Sequence, residues 1–289
     1  MNLSCVIPTH GRPDLLRMSL ASILAQTVPA AEILVVDDLG DQQTADVVEQ
    51  VQKTTTIPLR VVVNQVQPGA CGSRNLGAAN ARSDIVAFLD DDDIWYPTYL
   101  ERVTQRFEEG GVDVVIVGLL RRDLDGSLQS LATREGLTPD TLFDQRSYMT
   151  GSNLAIRKEA FDKAGRFDPA VPVWNDYDLF IRIVNHAIPY AVLPDVLVEW
   201  REHPGDRITK PSLRRANGLE IFVRKHRSQL PSAFQKELLA MALGIRRRHT
   251  TGVLHKAALA VQLARVIGFG EAVKRVFQKS TGLKSLSPK

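Results

Sequence analysis

Ile85-Val86-Ala87-Phe88-Leu89-Asp90-Asp91-Asp92-Asp93-Ile94-Trp95 is an apolar run that delivers four carboxylates at its end. Five consecutive apolar residues read as a short buried strand, of the kind found at the centre of a parallel sheet. Four adjacent negative charges at the mouth of such a strand repel one another and are costly to desolvate. A divalent cation relieves both costs, and hard oxygen ligands suit Mg²⁺ or Mn²⁺. A solvated acidic turn is the plainer alternative. Open α/β sheets bind ligands at the carboxyl ends of their strands, so the position favours a ligand site.

On either side of this run the chain alternates between strand and helix patterns. Leu3–Pro8, Glu32–Val36, Leu59–Val63 and Val112–Val117 read as strands; Asp14–Gln26, Asp41–Gln52 and Thr98–Glu108 have helical apolar spacing. Gly69–Gly77 reads as a glycine-rich turn running into a helix through about Ala81. This alternation predicts a mostly parallel, doubly wound α/β sheet with flanking helices. Beyond residue 118 the pattern loosens. A hairpin is expected around Asp125-Gly126, then a strand over Leu154–Arg157, helices over Lys158–Ala164 and Tyr177–Asn185, and two strands, Tyr190–Leu193 and Val196–Trp200. From Pro211 the chain reads as helical, over about 212–227, 232–249 and 252–279. The expected division is a body over 1–205, its pattern changing at about residue 118, followed by a basic helical extension over 206–289.

A chain of 289 residues that is 44% hydrophobic can bury a sizeable core. It has no apolar run long enough to span a bilayer and no basic, cleavable leader, so a secretory signal is not expected. Cys5, in a core strand, and Cys71, in a loop, lack the spacing of a metal or redox pair, which points to a reducing, cytoplasmic setting. The net charge of +3 hides an asymmetry: residues 1–200 sum to −11 and residues 201–289 to +14. Arg214-Arg215, Arg224-Lys225-His226-Arg227 and Arg246-Arg247-Arg248-His249 cluster on the expected helices. Such helices suit an anionic inner membrane leaflet, with self-association as the alternative. No recognition motif accompanies the charge, so nucleic acid is not an expected partner.

The loops at the carboxyl edge of the sheet carry Pro8-Thr9-His10-Gly11-Arg12, Asp37-Asp38, Gly69–Gly77 and Asp90–Asp93. Together they offer metal ligands, a carboxylate for a base or ribose, and cations for phosphate. No GxGxxG follows the first strand and there is no GxxxxGK[ST] loop, which excludes the dinucleotide and P-loop fingerprints.

Seven segments in order, VIPTHGRP (6–13), VVDD (35–38), GACGSRNLG (69–77), FLDDDDIW (88–95), GSNLAIRKEAF (151–161), GRFD (165–168) and NDYDLFIRI (175–183), make residues 1–205 resemble an inverting family 2 glycosyltransferase of the GT-A fold. The resemblance implies that Thr9 and Asp38 meet the nucleoside base, usually uracil, and that Arg74 lies near the base or diphosphate. Asp90 and Asp92 match the outer carboxylates of the DxD motif, Asp90 toward ribose and Asp92 on the metal; Asp91 and Asp93 are supporting residues. Pro8, Arg12, Gly69, Asp91, Asn153 and Trp174 complete the implied nucleotide-sugar contacts. His203 would complete the shell of Mn²⁺ or Mg²⁺. Asp176 falls where the family's general base sits, with a plain helix cap as the alternative; Asp178 reads as a capping or first-turn residue. Two departures stand out: Asn175 replaces the usual Glu before the base, and His10-Gly11 replaces Tyr-Asn.

The implied activity is metal-dependent transfer of one sugar from a UDP-sugar to a glycan or lipid-linked glycan, in the cytoplasm or peripherally on the inner membrane face. Two other readings stay open: a nucleotidyltransferase that makes the sugar nucleotide, and a non-catalytic nucleotide-sugar binding protein.

Overall fold

Leu3–Thr9 forms β1, and all seven of its residues are buried, as expected of a strand covered on both faces. A computed structural model describes residues 1–143, 147–202 and 210–271. After β1 come α1 (Pro13–Leu24), β2 (Glu32–Asp37), α2 (Gln42–Gln52), β3 (Leu59–Val63), α3 (Ala70–Asn80), β4 (Ile85–Phe88), β5 (Ile94–Trp95), α4 (Tyr99–Glu108), β6 (Val114–Arg122), β7 (Leu128–Leu131), β8 (Leu154–Arg157), α5 (Lys158–Lys163), α6 (Asn175–Asn185) and β9 (Tyr190–Arg201). α7 (Leu213–Lys225), α8 (Ser232–His249) and α9 (Val253–Ile267) follow. The chain divides into two compact units, Met1–Gly205 and Asp206–Lys289.

The sheet of the first unit runs β3-β2-β1-β4-β8-β6-β9-β5, with β7 paired to β6. Its first four strands are parallel, with Thr9 opposite Asp37 and Val6 opposite Phe88. β8 then runs antiparallel to β4 and to β6, and β9 runs parallel to β6. The expected parallel sheet therefore occupies the first half, and the second half is mixed. The reversal at β8 turns the segment before that strand toward the carboxyl ends of β1, β2 and β4.

Local chemistry explains the element boundaries. Pro13 opens α1, where its missing N–H costs nothing. Asp41 caps α2 by accepting from the Thr44 backbone N–H at 2.7 Å. The stretch read as a glycine-rich turn is helix from Ala70 onward, so Cys71 sits inside α3 and is buried rather than in a loop. Gly77 is needed there for contact: a Cβ would lie 2.3 Å from Val6 Cγ1, so α3 rests directly on β1. The two strands expected after residue 190 are one strand, β9, whose register shifts beside Gly118. Pro194 and Asp195 lift out there, with carbonyls 2.9 Å from where a Gly118 Cβ would stand. Trp95 and Tyr99 stack at 3.9 Å in the core, locking the strand end that carries the aspartates onto α4.

In the second unit α8 pairs with α7 through Arg246, which grips Glu220 by two bonds of 2.8 Å, and with α9 through Leu263 and Ala240. α9 ends at Ile267, where Gly268 takes φ +86, and 269–271 are again helical; the rest of the helix expected to 279 lies outside the described residues. No helix among the described residues is long and apolar enough to cross a membrane.

Candidate active site

The four aspartates at the end of β4 divide into two kinds. Asp91 and Asp93 are buried, while Asp90 and Asp92 keep side-chain exposures of 28% and 17%. Asp91 points into the protein. One oxygen lies 2.6 Å from Arg12 Nη2, and the other accepts from the Thr9 hydroxyl at 2.7 Å and from Arg12 Nε at 3.1 Å. Burial pushes its carboxyl up to about 7; Arg12 opposes that rise, and Asp92 and Asp90 add to it. Asp93 accepts from the Ser152 hydroxyl at 2.5 Å and from the Arg201 backbone N–H at 3.1 Å. Burial raises its pKa well above the ordinary carboxylate value.

Asp90 and Asp92 are each met by a guanidinium. Arg74 Nη2 donates to Asp90 at 2.5 Å, and Arg12 Nη1 lies 3.3 Å from Asp92 Oδ2. The Asp90 backbone N–H donates to Ser152 Oγ at 3.1 Å, so one hydroxyl ties both ends of the acidic run to the segment before β8. One carboxylate oxygen from each of Asp90, Asp92 and Asp93 comes within 4.8 Å of the others. That all-oxygen set on one rim fits a hard divalent cation such as Mg²⁺ or Mn²⁺.

Arg74 links this cluster to α6. It is buried, donates from Nη1 to Asn175 Oδ1 at 3.2 Å, and lies 5.0 Å over the Phe167 ring. Gly151 makes room for it: a Cβ there would stand 2.3 Å from Nη2. Asp176, the next residue of α6, is half-buried and accepts from the Tyr177 backbone N–H at 2.8 Å. Burial pushes its carboxyl up to about 6; Arg74 pulls the other way, and Asp90 adds to the rise. The helix cap is Trp174, held at φ +61, with its ring 5.7 Å from Tyr177 in an edge contact. Asp178 is a first-turn residue of α6 and not its cap: it is buried and pairs with Arg182 at 2.6 Å, one turn along.

A second knot joins the ends of β2 and β3 to α3. Asp38 accepts from the Gly69 backbone N–H at 2.7 Å, from the Ser73 hydroxyl, and from Asn64 Nδ2 at 3.3 Å. His10 Nδ1 stands 3.8 Å from it. Gly69 takes φ +111, a conformation open to glycine, which lets this loop turn into α3.

The rim thus brings together Thr9, Arg12, Arg74, Asp90, Asp91, Asp92 and the start of α6, with Asp38 and Gly69 in the neighbouring knot. Two expected contacts lie inside the protein. Pro8 is buried within β1 opposite Val36. Asn153 is fully buried with its amide saturated: its oxygen accepts from Thr150 N at 2.7 Å and Thr150 Oγ1 at 3.3 Å, and its nitrogen donates to Val117 O and Tyr148 O at 2.7 and 2.8 Å. Neither end is left for a ligand. His203 lies outside the described residues. Ser152, Asp93 as a cluster member, and the Arg74–Asn175 bond were not expected. Ser152 stood inside the quoted 151–161 segment, and its small hydroxyl between a glycine and an apolar strand was the available signal.

The family model described as Glycosyl transferase family 2 matches residues 4–165. An uncharacterized glycosyltransferase of Haemophilus influenzae is 28% identical over 197 residues, covering 66% of this chain and 65% of that protein. Succinoglycan biosynthesis protein ExoW of Rhizobium meliloti is 40% identical over 198 residues, covering 62% of this chain and 61% of its own length. The matches thus span less than two thirds of either relative. Residues 1–349 of S. aureus TarS, in a crystal structure with UDP-GlcNAc, superpose with a TM-score of 0.63 at 18% identity, covering 96% of this chain and 82% of that one. That likeness assigns the GT-A fold.

Proposed function

Since this chain belongs to glycosyl transferase family 2, we propose that it moves one sugar from a UDP-sugar to a hydroxyl of a glycan or lipid-linked glycan, inverting the anomeric carbon. The observation that carries the reading is the chain of contacts Asp90–Arg74–Asn175, which joins the exposed carboxylates to the first turn of α6. Donor and base must share one small space if an acceptor oxygen is to attack opposite the leaving phosphate. In this reading residues 1–118 hold the donor, 119–205 the acceptor, and 206–289 form a basic extension at the inner face of the cytoplasmic membrane. The UDP-GlcNAc bound to TarS supports the choice of donor.

Asp90, Asp92 and Asp93 would hold Mg²⁺ or Mn²⁺, which supplies positive charge to the leaving diphosphate. Thr9 and Arg12 keep Asp91 inside the protein, and Arg12 also aligns Asp92. Asp38, clamped by Gly69, Ser73 and Asn64, offers a fixed carboxylate to the nucleoside. Asp176 takes the proton of the attacking hydroxyl. With a carboxyl near 6 it is ionised at neutral pH yet more basic than an ordinary aspartate. Asn175 keeps Arg74 in place without competing for its charge. A neutral residue there leaves the guanidinium to Asp90.

Thermal shift and UDP release tested against a panel of UDP-sugars, with Mn²⁺, Mg²⁺ or chelator, decide the matter. One UDP-sugar should stabilise the protein only when metal is present, and Asp92→Ala should abolish that shift. An undiminished shift in chelator, or pyrophosphate release from UTP and a sugar phosphate, would overturn the reading.

A further inference from the structure

α9 packs on α8 through Leu263, Ala264 and Ile267 against Ala240 and Leu243. At about 100° per residue, Leu254, Ala258 and Val261 fall on the opposite face. A helix on the surface of a globular protein carries its charged residues there. Here that face is apolar: Leu254 is 85% and Val261 52% exposed, and Phe269, in the helical residues that follow Gly268, is 78% exposed. Arg265 extends the same face by one turn, and His255 and Lys256 stand exposed at its start. From Val253 to Lys289 the sequence holds seven Lys and Arg against a single acidic residue, Glu271.

We propose that this face of α9 docks on an anionic lipid bilayer, lying in the plane of the surface with Leu254 and Val261 among the upper acyl carbons. Charge selects the occupant. A second copy would set one +14 segment against another, and like charges at an interface oppose association. A nucleic acid would match the charge but offers no acyl layer to cover Leu254 and Val261. An anionic leaflet supplies both an apolar layer and phosphates within reach of Arg265, whose long stem lets its charge stay at headgroup level. The helix is about 22 Å long, too short to span a bilayer. Not all of the basic clusters are available for this. Arg215 is half-buried with its pKa lowered by burial, His226 is buried against Phe222, and Arg246 is engaged with Glu220. The proposal stands independently of the glycosyl-transfer reading.

The test is cosedimentation of the full chain with vesicles of 30% phosphatidylglycerol in phosphatidylcholine, against pure phosphatidylcholine. Binding at least tenfold stronger to the anionic vesicles is expected. The charge-neutral double variant Leu254→Gln/Val261→Gln should weaken it at least tenfold, with far-UV circular dichroism and mass by light scattering unchanged. A Leu254→Trp reporter should shift to the blue and be quenched by lipid brominated in the acyl chain. The proposal falls if the parent ignores anionic vesicles, if the double variant binds as well as the parent, or if the parent is a dimer that the double variant splits.

Discussion

The carboxylates at the end of β4 and the carboxylate at the start of α6 share one rim, yet the protein treats them differently. Asp90, Asp91 and Asp92 each lie against a guanidinium. Asp176 is half-buried, accepts a backbone N–H of its own helix turn, and feels Arg74 only at longer range. Fixed cations make the first group a rigid acidic cradle. Burial raises the carboxyl pKa in both places, to about 7 at Asp91 and about 6 at Asp176, but Asp91 has a guanidinium in contact and Asp176 only a backbone N–H. Under the proposed function, this separation gives similar side chains different work, one set gripping an ion and the other accepting a proton.

Two substitutions test that division most strongly. Asp176→Asn should cut kcat at least about a hundredfold, as loss of a general base implies, while metal-dependent binding of the UDP-sugar survives. Asp92→Ala should abolish that binding as well as turnover. If titration calorimetry finds donor binding lost in both variants, the two regions are not functionally separate. Asn153→Ala probes the scaffold beneath them. It leaves the carbonyls of Val117 and Tyr148 without their buried donor, at a cost of about 2–4 kcal/mol in chemical denaturation, with donor affinity per folded molecule unchanged. A selective loss of donor affinity would return Asn153 to the site. Gly151→Ala drives a methyl into Arg74 and should cost about 1–3 kcal/mol. It should also raise the KM for donor, because Arg74 is what orients Asp90. An unchanged KM would show that the brace is dispensable.

The parallel half of the sheet was far more legible in sequence than the mixed half, for a physical reason. In the parallel half each strand is a short apolar run, so the loops that carry Thr9, Asp38, Gly69 and Asp90–Asp93 could be located by periodicity, and the resemblance supplied their roles. Past residue 118 the contacts that matter are non-local. The antiparallel turn of β8 and the bulge in β9 depend on partners 36 or more residues away, and the last of Asn153's four bonds goes to Val117, 36 residues back. Hence Asn153 was chosen from its segment, whereas Ser152, which reaches Asp93 across 59 residues, was not. The start of α6 was placed two residues late because Trp174 in the left-handed region is an uncommon cap, and no sequence rule favours it.

The uncompensated burial of Asp176 also carries a stability cost whose sign is fixed. Its carboxyl ionises near 6 in the folded protein against an ordinary 3.8. Between those values the folded chain holds a proton that the unfolded chain has released, so stability falls as pH rises through that window and stays lower above it. Replacing the carboxylate with a neutral amide should therefore stabilise the protein at pH 8 by about 1–2 kcal/mol, after allowance for the residue's partial exposure. The gain should shrink below pH 6 and vanish below about pH 4, where the parent carboxyl is protonated in both states. Thermal melts of the parent and Asp176→Asn in chelator, across that range, test this. A melting-temperature difference that does not change with pH would mean that Asp176 is solvated like an ordinary surface aspartate, and that nothing sets it apart from the cradle of β4.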